Sequence, residues 1–239
     1  MPKERDVVVG RSSESAEAAQ TTLGAAARAL VGDATDSATA VNAIKTAHKT
    51  FGGFDGLYHV AGGSGRKQGD GPLHEITDEG WEYTLRLNLT SIMNSNRAAV
   101  RDFLTRGAGG TILNMGSVLG WSPSPKFFST HTYAATKAAI VGFTRSTAAY
   151  YASANIRLNV LAPALVETPM AQRAAHDVVI SKFIESKQPL AGGRIGQPED
   201  LDGAAVYFMS DASRFTTGQV LAVDGGLDVS EGQIPLKDL

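Results

Sequence analysis

The chain contains no cysteine, which excludes disulfides, thiolate nucleophiles and cysteine-bound zinc, and fits a reducing compartment. Charge of one sign is also missing. With 22 Lys and Arg against 24 Asp and Glu the net charge is −2, and no like-charged run could track a phosphate backbone or an anionic lipid surface. Nucleic acid and membrane are therefore not expected partners. Long apolar runs are absent as well: stretches such as AAIVGF at 138–143 fall far short of the roughly 20 residues of a membrane-crossing helix. No apolar segment follows the charged start, so no secretory signal is read and a cytoplasmic protein is expected. The histidines have no metal spacing, with neither HExxH nor a carboxylate cluster beside them. The opening MPKERDVVVGRSSES lacks one thing more. It has a strand-like valine run feeding a helix start, the usual seat of a glycine-rich phosphate loop, yet only Gly10 stands at the junction.

What is present is alternation. Short apolar runs at 6–10, 29–32, 54–60, 110–115, 156–162 and 218–226 read as strands, separated by helical spacing at 13–28, 36–51, 75–106, 132–153 and 198–210. Buried strands alternating with helices imply parallel βαβ units with helices on both faces. At 239 residues, with no linker dividing the chain, one domain is expected. Ligands in such folds bind beyond the carboxyl ends of the strands, which directs attention to 10–12, Asp33, 61–63, 116–117 and 163–168.

The stretch NMGSVLGWSPSPKFFSTHTYAATKAAI carries the clearest chemistry. Tyr133 and Lys137 are four apart in a helical pattern, so their side chains share a face. An ammonium near a phenol stabilises the phenolate and lowers a pKa that starts near about 10, making Tyr133 a usable acid or base. Ser117, just past the strand at 110–115, is placed to hold a carbonyl oxygen. These are parts for moving a proton to or from an alcohol.

From about Asp6 to Gly226 the chain resembles the short-chain dehydrogenase/reductase family. The similarity rests on the serine after a strand, then YAATK, NVLAPALVETPM at 159–170, RIGQPEDL at 194–201, VDGG at 223–226, GWEYTLRLNLTS at 80–91 and VGDATD at 31–36. The resemblance implies a Rossmann-like α/β fold with a doubly wound parallel sheet, and a hydride exchange between NADP(H) or NAD(H) and a carbonyl or secondary alcohol. It implies Tyr133 as acid/base and Lys137 as both pKa-lowering neighbour and ribose ligand. Ser117 would orient the substrate, and Asn88 would hold a water that relays protons to Lys137. Asp33 would contact adenine; Ala61 and Gly62 would approach the cofactor ribose; Pro163, Val166 and Thr168 would contact the nicotinamide side. A homodimer or homotetramer is implied too. The Ala- and Ser-dense helix at 134–153 offers a close-packing face, or serves as an ordinary cover for the sheet.

There are departures. Ser117 and Tyr133 are 16 apart, longer than the family's usual gap, and SPSPKFF is expected to form a loop. Phe127, Phe128 and Trp121 either line an apolar pocket there or belong to a proline-pinned surface loop. His59-Val60 replaces two family asparagines, with His59 read as structural in their place. Ala164 replaces a glycine. Residues 168–190 are expected to form a mobile flap over the substrate.

Aligned by VGDATD, the run DVVVGRSS matches the family's second strand, so the first strand, its Gly-x-x-x-Gly-x-Gly turn and the first helix have no counterpart. Because that strand is central in the order 3-2-1-4-5-6, its loss predicts two unpaired inner edges in a sheet incomplete at the N-terminus. Three readings stay open: a start that lies upstream of this sequence, DVVVG shifted into the first-strand slot with Ser12 or Ser13 capping the helix, or a non-catalytic homologue that binds partners. Under the second-strand alignment Arg11 follows the position where an acidic residue would select NAD. A guanidinium there suits a 2′-phosphate and favours NADP(H), unless Arg11 is merely solvated.

Overall fold

A computed structural model of the chain describes residues 5–232. All its strands pair in parallel, in two sheets. β1 (Asp6–Gly10) pairs with β2 (Ala27–Val31). β3 (Gly56–His59), β4 (Gly110–Met115), β5 (Ile156–Pro163) and β6 (Val220–Val223) form the second sheet, in that order. Among the described residues β1 has no pairing with β3, so the two strands belong to separate sheets. DVVVG thus takes the place beside β2 and does not enter a first-strand slot next to β3.

Helices join what the strands leave apart. α1 (Ser13–Leu23) links β1 to β2, and α2 (Ser37–Phe51), capped by the Asp36 side chain, packs against α4 (Ser91–Arg106) of the larger sheet. Asn94 on α4 also donates to Thr35 O at 3.1 Å, in the turn after β2. The core at this seam holds Ile44 of α2, Phe103 of α4, Ile112 of β4 and Leu158 of β5. Removing each such side chain from water contributes on the order of 1.5–3 kcal/mol.

Helix boundaries differ from the sequence expectation where glycines and a π-turn intervene. The pattern at 13–28 ends as α-helix at Leu23, before Gly24 (φ 63°), and Ala27 begins β2. The pattern at 75–106 divides into α3 (Asp78–Leu85), a π-turn over Arg86–Thr90, and α4. The expected flap contains two helices, α6 (Gln172–Ala175) and α7 (Val178–Lys187), the second capped by Asp177. A 3₁₀ turn at Pro198–Leu201 precedes α8 (Asp202–Met209).

α5 (His131–Tyr151) lies against β5, and a buried polar trio fixes it to the sheet. Asn114 of β4 exchanges two hydrogen bonds with Asn96 of α4, at 2.9 and 3.0 Å, and donates to Thr144 of α5 at 3.0 Å. Every member is satisfied, so the trio orients the three elements without a desolvation penalty left over.

Candidate active site

Parallel strands bring the carboxyl ends of β3, β4 and β5 to one rim. β4 runs out at Met115, and the Ser117 hydroxyl then accepts from Leu119 N at 3.2 Å, starting a 3₁₀ turn over Val118–Gly120. This turn presses on α5. A Cβ at Gly120 would lie 2.8 Å from Ala138 N and 2.9 Å from the carbonyl carbon of Lys137, so only glycine permits the contact. Tyr133, half-buried one turn before Lys137, has the Ser117 hydroxyl near enough to its phenol to lower its proton affinity. The Lys137 ammonium is buried, donates to Met115 O at 2.8 Å, and lies 5.5 Å from the centroid of the Tyr133 ring.

Burial dominates the proton affinities of both groups. It pushes the Tyr133 phenol up to about 12, against the opposing pull of the Ser117 hydrogen bond. It pulls Lys137 down to about 8. Burial, rather than Lys137, sets the direction of the phenol's shift. The ammonium sits over the ring and its hydrogen bond goes to Met115 O.

Asn88 sits in the π-turn, completely buried. Its Oδ1 accepts from Gly63 N at 2.9 Å, while Nδ2 donates to Gly63 O at 2.9 Å and Thr84 O at 3.0 Å. The extra residue of the π-turn aims this carboxamide at the 63–71 loop, a common use of such turns at functional sites. One acceptor position on Oδ1 remains. Gly62 brings the backbone against these groups: a Cβ there would meet Asn88 Oδ1 at 2.8 Å and come within 3.7 Å of Lys137 Nζ. Ala61 and Gly62, both exposed, therefore form an open rim beside Lys137.

His59 fills the buried end of β3. Nε2 stands 3.0 Å from Ala61 O and 3.3 Å from Ser91 Oγ, and Nδ1 is 2.7 Å from Ser95 Oγ. Burial drives its pKa down to about 4, so the ring is neutral and braces the Ala61–Gly62 turn.

β5 supplies the other wall. Pro163 ends the strand, Val166 bridges in parallel to Gly196, and the Thr168 hydroxyl is 3.4 Å from Val166 O. The Arg194–Asp200 ion pair in RIGQPEDL, at 2.7 and 2.8 Å, holds the turn that carries Gly196. The aromatic loop takes a mixed form. Phe127 and Phe128 pack against the core beneath α7, with Phe127 4.8 Å from the Phe183 ring, while Trp121 remains 39% exposed.

Arg11 and Asp33 stand apart from this cluster, at the carboxyl ends of β1 and β2. Gly32 N donates to Gly10 O at 3.0 Å, which sets the two turns side by side. Asp33 Oδ1 accepts from Thr35 N at 2.8 Å; that bond foremost, with Arg86 and Arg11 nearby, lowers its pKa.

The residues present fit the two ends of a dinucleotide unequally. At one end, the close backbone approach at Gly62 beside the Lys137 ammonium and the Tyr133 phenol leaves an open polar rim with room for a ribose. Among the described residues no glycine-rich turn offers amides to a pyrophosphate, and the start of α1 is closed by reciprocal Ser12–Ser15 capping at 3.2 and 3.3 Å.

Several positioning groups were not legible in the sequence: Thr84 and Met115, which offer carbonyls; Ser91 and Ser95, which hold His59; and Asp70. The Ser91 and Ser95 spacing on one helix face was a signal, but their target comes from a strand 32 and 36 residues away.

A family model described as Enoyl-(Acyl carrier protein) reductase matches residues 6–228. The chain is 34% identical over 226 residues to Inactive 2-(S)-hydroxypropyl-CoM dehydrogenase 2 of Xanthobacter autotrophicus, covering 92% of this chain and 93% of that one. It is 33% identical over 227 residues to gluconate 5-dehydrogenase of Gluconobacter oxydans, covering 94% and 85%. Among solved structures, a short-chain type dehydrogenase/reductase from Mycobacterium ulcerans superposes with a TM-score of 0.85 at 28% identity, over 95% of this chain and 81% of that one. A gluconate 5-dehydrogenase from Burkholderia cenocepacia, in complex with NADP and tartrate, gives 0.81 at 33% identity, over 92% and 84%. With the serine, tyrosine and lysine gathered at the rim of a parallel sheet and the match running almost end to end, this chain belongs to the short-chain dehydrogenase/reductase family.

Proposed function

We propose that the protein is an NAD(P)(H)-dependent oxidoreductase that interconverts a carbonyl and a secondary alcohol, with Tyr133 as the acid/base. The observation that carries this reading is the convergence of Ser117, Tyr133 and Lys137 at one rim, with the Ser117 hydroxyl near the phenol and the lysine ammonium 5.5 Å from the centroid of the phenol ring. A bound nicotinamide supplies or accepts hydride at its C4. The Ser117 hydroxyl orients the substrate oxygen, Tyr133 gives that oxygen its proton, and the Lys137 ammonium stabilises the phenolate left behind. A phenol whose pKa lies near 12 is protonated at neutral pH and holds the proton that reduction of a carbonyl requires. The free acceptor position on Asn88 Oδ1 suits the relay water of the family pattern.

Lys137, Tyr133, Ala61 and Gly62 would hold the nicotinamide ribose, with Pro163, Val166 and Thr168 on the far wall and Asp33 toward adenine. NADP(H) is favoured over NAD(H): Arg11 is exposed beside Asp33, where a guanidinium pairs with a 2′-phosphate, and one solved relative is a complex with NADP. The family resemblance supports assembly as a homodimer or homotetramer. The competing reading, a non-catalytic homologue, draws on the missing pyrophosphate turn and on a relative named inactive; the assembled Ser117–Tyr133–Lys137 cluster weighs against it.

The test is a titration of the chain with NADPH and NADH, followed by nicotinamide fluorescence and by carbonyl-dependent oxidation. Saturable binding that prefers NADPH is expected. Tyr133→Phe should bind equally and lose about 10²–10⁴ in turnover. Absence of binding to the folded protein would overturn the enzyme reading.

A further inference from the structure

α5 begins without a cap of its own, since its N-cap residue Thr130 makes no side-chain bond to the helix. The first amides are satisfied from elsewhere. Asp70, 4% exposed, accepts from Thr132 N through Oδ1 at 3.0 Å and from Tyr133 N through Oδ2 at 2.9 Å. Its neighbour Gly71 accepts from His131 N at 3.2 Å. Three consecutive amides at the start of the helix are thus held by one short stretch some 60 residues earlier, and one of them belongs to Tyr133 itself.

The same loop reaches the other side of the site. Its Gly63 end is bound twice by the Asn88 carboxamide. Between the ends, Gly65 O accepts from Gln68 N at 2.8 Å and from Asp70 N at 3.1 Å, and Gly69 O accepts from Thr77 N at 3.1 Å. The loop is a braced strut from Asn88 to the backbone of Tyr133. A buried carboxylate on two amides at a helix start is a charge-assisted contact with fixed directions, and the helix dipole reinforces it. A surface cap would need only one of these bonds.

We infer that Asp70 is a positioning residue for Tyr133: its carboxylate fixes the axial position of α5, so that the phenol meets the Ser117 hydroxyl at the height set by the Asn88-bound loop. The inference rests on the reading of Tyr133 as acid/base. It assigns Asp70 no contact with substrate or cofactor. An error of about 1 Å in the phenol's position is enough to cost about 10²-fold in rate, so a cap of this kind acts on turnover and not only on stability.

The experiment compares Asp70→Asn and Asp70→Ser with Asp36→Asn, which weakens the corresponding cap of α2 away from the site. All are measured as full chains for thermal midpoint, NADPH affinity, kcat and KM, and for the ring-carbon NMR resonance of ¹³C-labelled Tyr133, assigned with Tyr133→Phe. Asp70→Asn keeps the shape but turns an NH₂ toward one amide, while Asp70→Ser keeps an acceptor without filling the space. The expected result is a tenfold or greater fall in kcat for both Asp70 variants with NADPH affinity within twofold of wild type, and a displaced Tyr133 resonance. Asp36→Asn should lose stability with kcat and the resonance unchanged. If the Asp70 variants lose stability as Asp36→Asn does, while kcat and the resonance stay at wild-type values, Asp70 is only a structural cap and the inference is overturned. If the wild-type protein reduces no carbonyl, the proposed activity fails by itself and the resonance still decides the placement: displaced in both Asp70 variants, it upholds the strut; unmoved, it refutes it.

Discussion

Replacing Lys137 with methionine should change how stability depends on pH, in a direction opposite to most lysine removals. The wild-type ammonium is 4% exposed and its pKa falls from 10.5 to about 8, chiefly through burial. Between those values the unfolded chain keeps a proton that the folded chain has released, so folding gains stability as the pH rises from about 8 toward 10.5. At about 1.4 kcal/mol per pH unit the full effect is about 3 kcal/mol. Below pH 8 the folded protein carries that cost entire, offset in part by the charged hydrogen bond to Met115 O at 2.8 Å. Tyr133 acts in the reverse sense. Its pKa rises from 10.0 to about 12, so above pH 10 the unfolded chain loses protons first and stability falls. Urea unfolding of wild type and Lys137→Met at half-unit steps from pH 7 to 10 isolates the lysine, because the other titrations are common to both. The variant should be more stable than wild type by about 1–2 kcal/mol at pH 7, once about 1 kcal/mol is subtracted for the lost bond, and the advantage should vanish by pH 10. Turnover should fall at the same time, the exchange of stability for function expected of a buried charge at a working site. Two stability curves that run parallel over pH 7–10 would refute the reasoning, for then the ammonium is not held against its hydration.

Other perturbations read different parts of the site. Gly120→Ala puts a methyl 2.8 Å from the α5 backbone, so the Ser117 turn must lift; a kcat loss of about 10-fold or more, with NADPH affinity retained, is expected from steady-state kinetics. Among the described residues Thr132 has the one buried side-chain oxygen without a hydrogen-bond partner, so Thr132→Val, which keeps the shape and removes the hydroxyl, should raise stability by about 1 kcal/mol in chemical denaturation. His59→Ala strands the Ser91 and Ser95 hydroxyls and opens a cavity, for a loss of about 2–4 kcal/mol. In wild type the same histidine has its pKa lowered from 6.5 to about 4, so the stability it protects declines as the pH falls through that window, and the decline should be missing in His59→Ala.

The separation between what was readable early and what was not follows the range of the interactions. Tyr133 and Lys137 share a face because a helix repeats every 3.6 residues, and that spacing is visible in YAATK before any fold is known. β1 and β4–β6 follow from valine- and leucine-rich runs, and the order of motifs was enough to imply the family. Helix ends were less legible, since Gly24 and the π-turn at Arg86–Thr90 act through backbone geometry that the apolar pattern does not encode.

The sequence by itself determined the alternation of strands and helices, the shared face of tyrosine and lysine, and the placement of Ser117 at a strand end, because each depends on neighbours within a turn or a strand. Only the tertiary structure decided the electrostatics and the bracing. Lys137 lies over a ring and donates to Met115 O, so burial governs both proton affinities. His59, on β3, is satisfied by serines from α4, and Asp70 reaches amides 62 and 63 residues along the chain. Desolvation and long-range hydrogen bonds depend on what the folded chain places beside a group, and sequence spacing does not carry that information.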